Sequence, residues 1–154
     1  MTPTPKIKPP RKVMSQPKKV YLAGPVFGCA DPETWRNDVT AQLPKGWEAV
    51  NPLKIERYTS DTKDQARRIV TADLKAIDYC DAMLALIDDP SWGTAMEIFY
   101  ADETCIPIIG WQPKFNGRPV SPWLQVHCAL ITSDFAEAMK FLKNKIKVQV
   151  DAEG

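Results

Sequence analysis

Residues 82–98 read AMLALIDDPSWGTAMEI, an apolar run followed by a short polar turn and a helical pattern. The run at 82–87 has the length and composition of a buried strand. Gly93 lies in the turn that follows, and Glu97 falls in the first turn of the expected helix. Parallel α/β sheets are built from such strand–turn–helix units, and their ligands bind beside the carboxyl ends of the strands. We therefore expect Glu97 at a ligand-binding edge.

Two interpretations of Glu97 remain open from these residues alone. The positive end of the helix macrodipole stabilises an ionised carboxylate in the first turn, and a nucleophile in glycosyl transfer must be ionised. Thr94 and Glu97 also match a capping box, Ser/Thr-x-x-Glu, in which the glutamate only satisfies a backbone N–H of its own helix.

Strands and helices alternate along the rest of the chain. Strands are expected at 19–24, 47–50, 82–87, 106–109 and 130–132, and helices at 31–43, 64–79, 94–103, 122–129 and from 134 onward. This alternation predicts an α/β fold, a flavodoxin-like doubly wound parallel sheet of about five strands with helices on both faces. Its crevice would lie between the first and third strands, where the loops after Gly24 and before Thr94 meet.

The 154 residues suit one domain of ordinary globular composition, with 44% hydrophobic and 25% charged residues. We expect a disordered, basic, Pro-rich tail at 1–18, a folded domain at 19–148 and a flexible C-terminus at 149–154. Residues 1–19 carry six Lys and Arg and no acid, and the remainder holds 14 basic against 19 acidic residues. This balance argues against binding of a nucleic-acid polymer.

A cytoplasmic location is expected. No apolar run approaches the ~20 residues that cross a bilayer, and the N-terminus lacks the apolar stretch of a secretory signal. The four cysteines are widely spaced and His127 is the sole histidine, so no zinc site of usual spacing can be built. We expect Cys80 and Cys105 to be reduced core residues.

Asp73 and Tyr21 are further candidates for chemistry. Asp73 lies one turn from both Ile69 and Ile77, on the apolar stripe of its helix. It is either hydrogen-bonded to a neighbouring loop or a proton donor or acceptor whose pKa burial raises. The Tyr21 hydroxyl, in the first strand, either reaches the crevice or finds a partner in the core.

Three loop residues have both structural and binding interpretations. Phe27 is either a local packing residue or a face on which a planar base stacks. Ser91 and Gly93 precede a helix and could offer a hydroxyl and backbone N–H groups to a hydroxyl or phosphate. Ser91 could equally be an ordinary turn residue.

At this point the sequence resembles the nucleoside 2-deoxyribosyltransferase family. The similar segments follow the order of the family over about residues 19–110. They are VYLAGPVF at 20–27, NP at 51–52, ADLKAI at 72–77 with CD at 80–81, and GTAME at 93–97 with YA at 100–101.

The resemblance implies a retaining, two-step exchange of the base of a 2′-deoxyribonucleoside. Glu97 would attack C1′ to give a covalent deoxyribosyl ester, Asp73 would handle the proton on the base, and Tyr21 would orient Glu97. Substrate-binding residues would be Gly24, Pro25, Phe27, Ser91, Gly93 and Met96. The resemblance implies no metal or organic cofactor. The expected partners are a deoxynucleoside or deoxynucleotide, a free nucleobase and further copies of the chain in a homo-oligomer.

Ser91 departs from the transferase pattern, which commonly has an Asp that binds the sugar 5′-hydroxyl. A Ser there is similar to the related 2′-deoxynucleoside 5′-monophosphate N-glycosidases, where it binds the phosphate. An Asp would repel a phosphate, whereas a hydroxyl and helix N-terminal amides attract it. The transferase is the preferred expectation and the hydrolase the alternative. A non-catalytic nucleotide-binding module, in which Glu97 only caps its helix, is the second alternative.

The C-terminal part also departs from the family pattern. Transferases complete a neighbouring subunit's pocket with an Asn, for which Ser121, Gln125 and His127 are the candidates here. Trp111 and Trp123 are expected to be aromatic residues of a subunit interface.

Overall fold

The structure, a computed structural model, describes residues 16–55, 63–115 and 117–153, and of residues 145–153 only the backbone. Its strands form one parallel sheet in the order β2-β1-β3-β4-β5. They are β1 Lys18–Ala23, β2 Trp47–Val50, β3 Ala82–Leu86, β4 Ile108–Trp111 and β5 Leu130–Thr132. The helices are α1 Thr34–Ala41, α2 Lys63–Asp78, α3 Trp92–Glu103, α4 Pro122–His127 and α5 Phe135–Glu153. The predicted doubly wound α/β fold is confirmed.

The interior strand β1 is buried on both faces, as in other parallel sheets. Successive side chains of a strand point to opposite faces. Val20 and Leu22 therefore join the core cluster that includes residues of α1 and α5. Tyr21 and Ala23 join the cluster that includes residues of α2 and α3. This alternation places Tyr21 on the same face of the sheet as the helices that carry Asp73 and Glu97.

The direction of winding reverses between β1 and β3, which are neighbours in the sheet. Ala23 and Ala85 are paired near the carboxyl ends of these two strands. The loops that follow β1 and β3 therefore emerge side by side, and in open α/β sheets this is where a ligand crevice forms.

The start of α3 differs from the prediction. The helix begins at Trp92, two residues earlier than expected, because Ser91 caps it. Glu97 consequently lies in the second helical turn and not in the first. The later start of β4, at Ile108, follows Pro107, which has no N–H to donate to a strand neighbour.

Of the two cysteines expected in the core, Cys80 is buried and Cys105 is exposed. The prediction for Cys105 was therefore wrong. Cys105 follows the last residues of α3 with a φ of 63°, so the chain turns there from the helix towards β4. This turn leaves the side chain outside the core.

The predicted tail falls mainly on residues 1–15, which lie outside the described residues. The division of the chain into tail, domain and C-terminus stays a prediction. In the part of the chain that the structure describes, no helix combines the length and the apolar character that crossing a bilayer requires.

Candidate active site

Tyr21, Asp73 and Glu97 come from β1, α2 and α3 and lie near enough for their charges to interact. Tyr21 is completely buried. Burial raises the pKa of Tyr21 far above its ordinary value, and the negative charges of Glu97 and Asp73 raise it further. The phenol therefore keeps its proton over the whole physiological range, and it can act as a hydrogen-bond donor.

Burial also dominates the ionisation of Glu97. It raises the pKa of Glu97 to about 7; the nearby Asp73 adds to the rise, while the Tyr21 hydroxyl and the charge of Arg36 oppose it. We expected the helix dipole to stabilise the ionised form of Glu97. The dipole does not control the ionisation of Glu97, because its effect falls off beyond the first helical turn. At neutral pH Glu97 is consequently poised between its ionised and protonated forms.

Two buried polar atoms at this position are unsatisfied. Glu97 Oε2 and the Tyr21 hydroxyl are both withdrawn from solvent, and neither completes a hydrogen bond of normal geometry with a described group. The hydroxyl is still close enough to lower the pKa of Glu97 as a donor does. Glu97 as a whole residue keeps partial exposure. Unsatisfied buried polar groups are rare in folded proteins, and two together point to a functional role.

The capping-box interpretation of Glu97 was wrong. Ser91 is the N-cap of α3, and its Oγ accepts from the Thr94 N–H at 3.4 Å and from Thr94 Oγ1 at 3.0 Å. Thr94 is therefore a buried residue inside the helix and not its cap. The carboxyl of Glu97 is left free of the helix start.

The loop after β1 begins with Gly24, at a position that has no room for a side chain unless a neighbouring group shifts. A Cβ on Gly24 would lie 2.6 Å from the ring of Trp35, well inside van der Waals contact. Pro25 is half-buried, and Phe27 is 89% exposed. The ring of Phe27 is thus presented to solvent beside the crevice.

The two remaining predicted residues of α3 are also on the surface. Gly93 is exposed, and an added Cβ there would meet nothing within 4 Å. Met96 is 68% exposed. Neither is needed to fill the core, so both are available to a ligand.

Sequence reasoning missed Arg36. This side chain is completely buried, and it donates to two main-chain carbonyls at the end of β1 and to a third, that of Pro32, shortly before α1. Its charge interacts with Glu97, Tyr21 and Asp73. The signal that could have revealed it is its spacing: Arg36 lies three residues before Val39, on the face of α1 that packs on the sheet.

A cavity of about 590 Å³ lies on the other side of the start of α3. Its lining includes Ser91, Thr94 and Trp123, but not Glu97, Tyr21 or Asp73. Of the residues predicted to be catalytic or to bind substrate within the chain, Ser91 alone lines this cavity. The cavity therefore does not contain the cluster of Tyr21, Asp73 and Glu97.

The candidates for a residue shared with a neighbouring subunit have different surroundings. Ser121 lines the cavity at the start of α4. Gln125 Nε2 donates to the Val120 carbonyl at 2.7 Å, and His127 Nδ1 lies 2.7 Å from Asp102 Oδ2. The side chains of Gln125 and His127 thus already have partners within the chain.

The two predicted interface tryptophans also differ. Trp111 packs against Trp35 and Phe135, with ring centroids 6.4 and 5.5 Å apart, and it is partly buried, so its place in a subunit interface stays a prediction. Helices cover the sheet, so the side chain of this β4 residue packs against residues at the helices. Trp123, on α4, is 71% exposed.

Within residues 16–55, 63–115 and 117–153, no group of three His, Cys, Asp or Glu side chains is arranged to hold a metal ion.

The chain is similar in structure to three solved proteins. The 2-deoxyribosyltransferase of Bacillus psychrosaccharolyticus has a TM-score of 0.65 at 19% identity, over 79% of this chain and 90% of that one. A conserved protein of Enterococcus faecalis V583 has a TM-score of 0.62 at 17% identity, over 84% and 99% of the two chains. The CMP N-glycosidase of Clostridium botulinum has a TM-score of 0.52 at 25% identity, over 82% and 99%.

Among proteins with curated descriptions, none matches the sequence significantly. The family model for nucleoside 2-deoxyribosyltransferase, in contrast, matches residues 20–148. This range contains β2 to β5 in full, β1 from its third residue onward, and the cluster of Tyr21, Asp73 and Glu97. Because the match extends over most of the sequence, the chain belongs to the nucleoside 2-deoxyribosyltransferase family.

Proposed function

We propose that this protein moves the 2-deoxyribosyl group of a 2′-deoxyribonucleoside from one nucleobase to another through a covalent ester on Glu97. The observation that carries the proposal is the state of Glu97. Its carboxyl is buried and does not cap its helix, and it has no ion pair with a described cation within 4.0 Å. Burial of a carboxyl group is costly when the group makes no structural interaction, and such groups are typical of catalytic sites.

In the first step, a carboxylate oxygen of Glu97 forms a bond to C1′ while the bond from C1′ to the base nitrogen breaks. The transition state resembles an oxocarbenium ion, which a nearby negative charge stabilises. Protonated Asp73 gives its proton to the departing base, because a neutral base leaves more easily than its anion. In the second step a nitrogen of the acceptor base attacks C1′, its proton passes to Asp73, and Glu97 is released.

Tyr21 assists by holding Glu97 in place. Its high pKa keeps the hydroxyl protonated, and the buried oxygen of Glu97 is the nearby acceptor. Gly24, Pro25, Phe27 and Met96 border the base in this proposal. The exposed ring of Phe27 supplies a stacking surface, which contributes about 1–3 kcal/mol per base. Gly93 allows the sugar to approach the backbone closely.

The position of Ser91 favours a second candidate, hydrolysis of the N-glycosidic bond of a 2′-deoxynucleoside 5′-monophosphate. Ser91 places an uncharged hydroxyl at the N-terminus of the 12-residue helix α3. Such a position attracts a phosphate, which an Asp would repel. Water would then take the place of the acceptor base in the second step.

A homo-oligomer is part of the proposal. Trp92, Met96 and Phe99 follow each other at helical spacing on α3, and all three are exposed. Trp123 and Val126 of α4 are exposed as well, at 71% and 75%. Large exposed apolar patches mark interaction sites, and a second copy would cover this face. Substitution of Trp123 by Glu is expected to shift the oligomer towards the monomer in light scattering.

One assay separates the candidates. The protein is incubated with deoxynucleosides and, separately, with deoxynucleoside 5′-monophosphates, each with and without an acceptor base, and products are identified by chromatography. A new nucleoside formed only with the acceptor supports transfer. Free base released from the monophosphate without an acceptor supports hydrolysis. Binding of the nucleotides without either product would contradict both and leave the non-catalytic module.

A further inference from the structure

We infer that Arg36 is a positioning residue, whose guanidinium extends the hydrogen bonding of β1 beyond the end of β2 and places a positive charge within electrostatic range of Glu97, without a direct ion pair between them. The inference concerns the same site and gives a catalytic meaning to Arg36 only if the proposed role of Glu97 is right.

The hydrogen bonds of Arg36 replace a missing strand neighbour. The pairing of β1 with β2 ends at Tyr21 and Val50. Beyond that point, Arg36 Nε donates to the Leu22 carbonyl at 3.2 Å and Nη2 donates to the Gly24 carbonyl at 2.9 Å. Carbonyls two residues apart on a strand point to the same side, as they do for a paired strand. Arg36 therefore fixes the chain on both sides of Ala23, immediately after Tyr21.

A third bond ties the same guanidinium to the far end of the loop. Arg36 Nη1 donates to the Pro32 carbonyl at 2.6 Å, so one side chain joins both ends of the segment from Gly24 to Pro32. The guanidinium carbon also lies 4.6 Å from the centre of the Trp35 ring. A lysine carries one compact ammonium group and cannot reproduce this planar fork.

The charge of Arg36 has no direct counter-ion. The side chain is completely buried, and within the described residues no carboxylate forms an ion pair with it within 4.0 Å. Burial lowers the pKa of Arg36, and the negative charges of Glu97 and Asp73 oppose that effect. An isolated buried cation is costly. The carboxylates of the site and the guanidinium therefore stabilise each other at a distance.

The consequence for the site concerns the protonation of the nucleophile. Glu97 must be ionised to attack, and burial works against ionisation. Arg36 opposes burial by lowering the pKa of Glu97. Its hydrogen bonds to the Leu22 and Gly24 carbonyls also fix the end of β1, and they thereby fix the position of Tyr21. Without the guanidinium, a larger share of Glu97 is protonated at neutral pH.

The test is a titration of Glu97 in the full chain without substrate. The carboxyl carbon of Glu97 is followed by NMR in protein labelled with ¹³C-glutamate, and Glu97→Gln identifies its signal. We expect a midpoint near pH 7 in the unchanged chain and a higher midpoint in Arg36→Met. Arg68→Met, at an exposed position of α2, is the matched control and should leave the midpoint unchanged. An unchanged midpoint in Arg36→Met would overturn the inference.

Asp73, Tyr21 and Cys29 also interact with Arg36, and they are unchanged in Arg36→Met and Arg68→Met. The titration is repeated with Asp73→Asn in both backgrounds, so that a shift transmitted by Asp73 is separated from one caused by Arg36. If the shift on removal of Arg36 vanishes in the Asp73→Asn background, Arg36 does not act on Glu97 directly and the inference fails.

A second measurement covers the case in which Arg36→Met does not fold. In the unchanged chain, the Nε–H signal of Arg36, assigned with Arg36→Lys, should move with the titration of Glu97. It should lose this movement in Glu97→Gln. An Arg36 Nε–H signal that does not shift during the titration of Glu97 would contradict the inference. Neither measurement needs turnover, so an inactive protein would refute the proposed function and leave this inference standing.

The kinetic consequences of Arg36→Lys and Arg36→Met differ. Arg36→Lys keeps the charge but loses the fork, so the Gly24 loop loosens and KM should rise more than kcat falls. Arg36→Met should lower kcat at neutral pH and regain part of it at higher pH, where Glu97 ionises. Equal pH profiles of the two variants would show that Arg36 is merely structural.

Discussion

The Ser91 hydroxyl accepts hydrogen bonds from both the backbone N–H and the side-chain hydroxyl of Thr94, at 3.4 and 3.0 Å. Ser91 is therefore the N-cap of α3, and the helix begins at Trp92. Glu97 is displaced into the second turn, where its carboxyl points to no backbone donor of the helix start. The same serine borders the neighbouring cavity. One hydroxyl thus caps the helix, so that Glu97 is not needed for this task, and it also lines the cavity.

Substitution of Glu97 by Gln should reduce base release at least about 1,000-fold, because an amide cannot form the glycosyl ester. Far-ultraviolet circular dichroism should show an unchanged fold, and intact-protein mass spectrometry should no longer detect a deoxyribosyl adduct. Glu103→Gln makes the same chemical change at the exposed end of α3 and should keep full activity. Substantial turnover by Glu97→Gln would exclude the nucleophilic role.

The stability of the protein should depend on pH through Glu97. Its pKa is about 7 in the folded chain against an ordinary value of 4.5, so the folded state binds this proton more tightly. The stabilisation is complete below pH 4.5 and is lost as the pH rises through 7. It amounts to at most about 3 kcal/mol.

Urea unfolding from pH 4 to 8 measures this dependence. The free energy of unfolding of the unchanged chain, relative to that of Glu97→Gln, should fall across the interval. A constant difference between the two proteins would show that Glu97 titrates alike in the folded and unfolded chains.

Substitution of Asp73 by Asn should lower kcat by about 100-fold and change KM little, because an amide binds but does not deliver a proton. A nucleoside whose base leaves readily as an anion should be affected much less. Steady-state kinetics with two such substrates makes the comparison. An effect confined to KM would assign Asp73 to binding alone.

Gly24 and Gly93 should respond in opposite ways to substitution by Ala. A Cβ at Gly24 would meet the ring of Trp35 at 2.6 Å, and this ring packs against Arg36 and Trp111. A cost of about 1–3 kcal/mol is expected. Gly93 has open space and lies in a helix, where Ala is favoured by up to about 1 kcal/mol.

Thermal unfolding of both glycine variants provides the measurement. A more stable Gly93→Ala protein that has lost activity would support close approach of the substrate to this backbone. A Gly24→Ala protein as stable as the unchanged chain would show that the Trp35 ring can move aside.

Substitution of Ser91 by Asp should harm turnover of a 5′-monophosphate more than that of the free nucleoside. The new carboxylate repels the phosphate by like charge but can still accept a hydrogen bond from a 5′-hydroxyl. The ratio of kcat/KM for the two substrates measures this, since Asp is also a good N-cap and should preserve α3. Equal losses for both substrates would remove the argument for a phosphate at this position.

Sequence periodicity was sufficient to predict the strands and helices and their order along the chain. A strand buried on both faces and an amphipathic helix each have a pattern of apolar residues that few other structures share. The ends of elements were less well predicted. α3 and β4 both shifted by two residues, since caps and strand ends depend on a few local hydrogen bonds. The exposed position of Cys105 followed from such a local turn.

By itself, the sequence determined the parallel sheet, the β1–β3 crevice and the family, and it selected Tyr21, Asp73 and Glu97 as candidates. Only the tertiary structure decided that Ser91 caps α3, that burial raises the pKa of Glu97 to about 7, and that Arg36 lies among these groups. The physical reason is the distance along the chain over which each property is determined. Patterns of apolar residues are local along the chain, whereas desolvation and electrostatic coupling depend on side chains from β1, α1, α2 and α3 that meet only after folding.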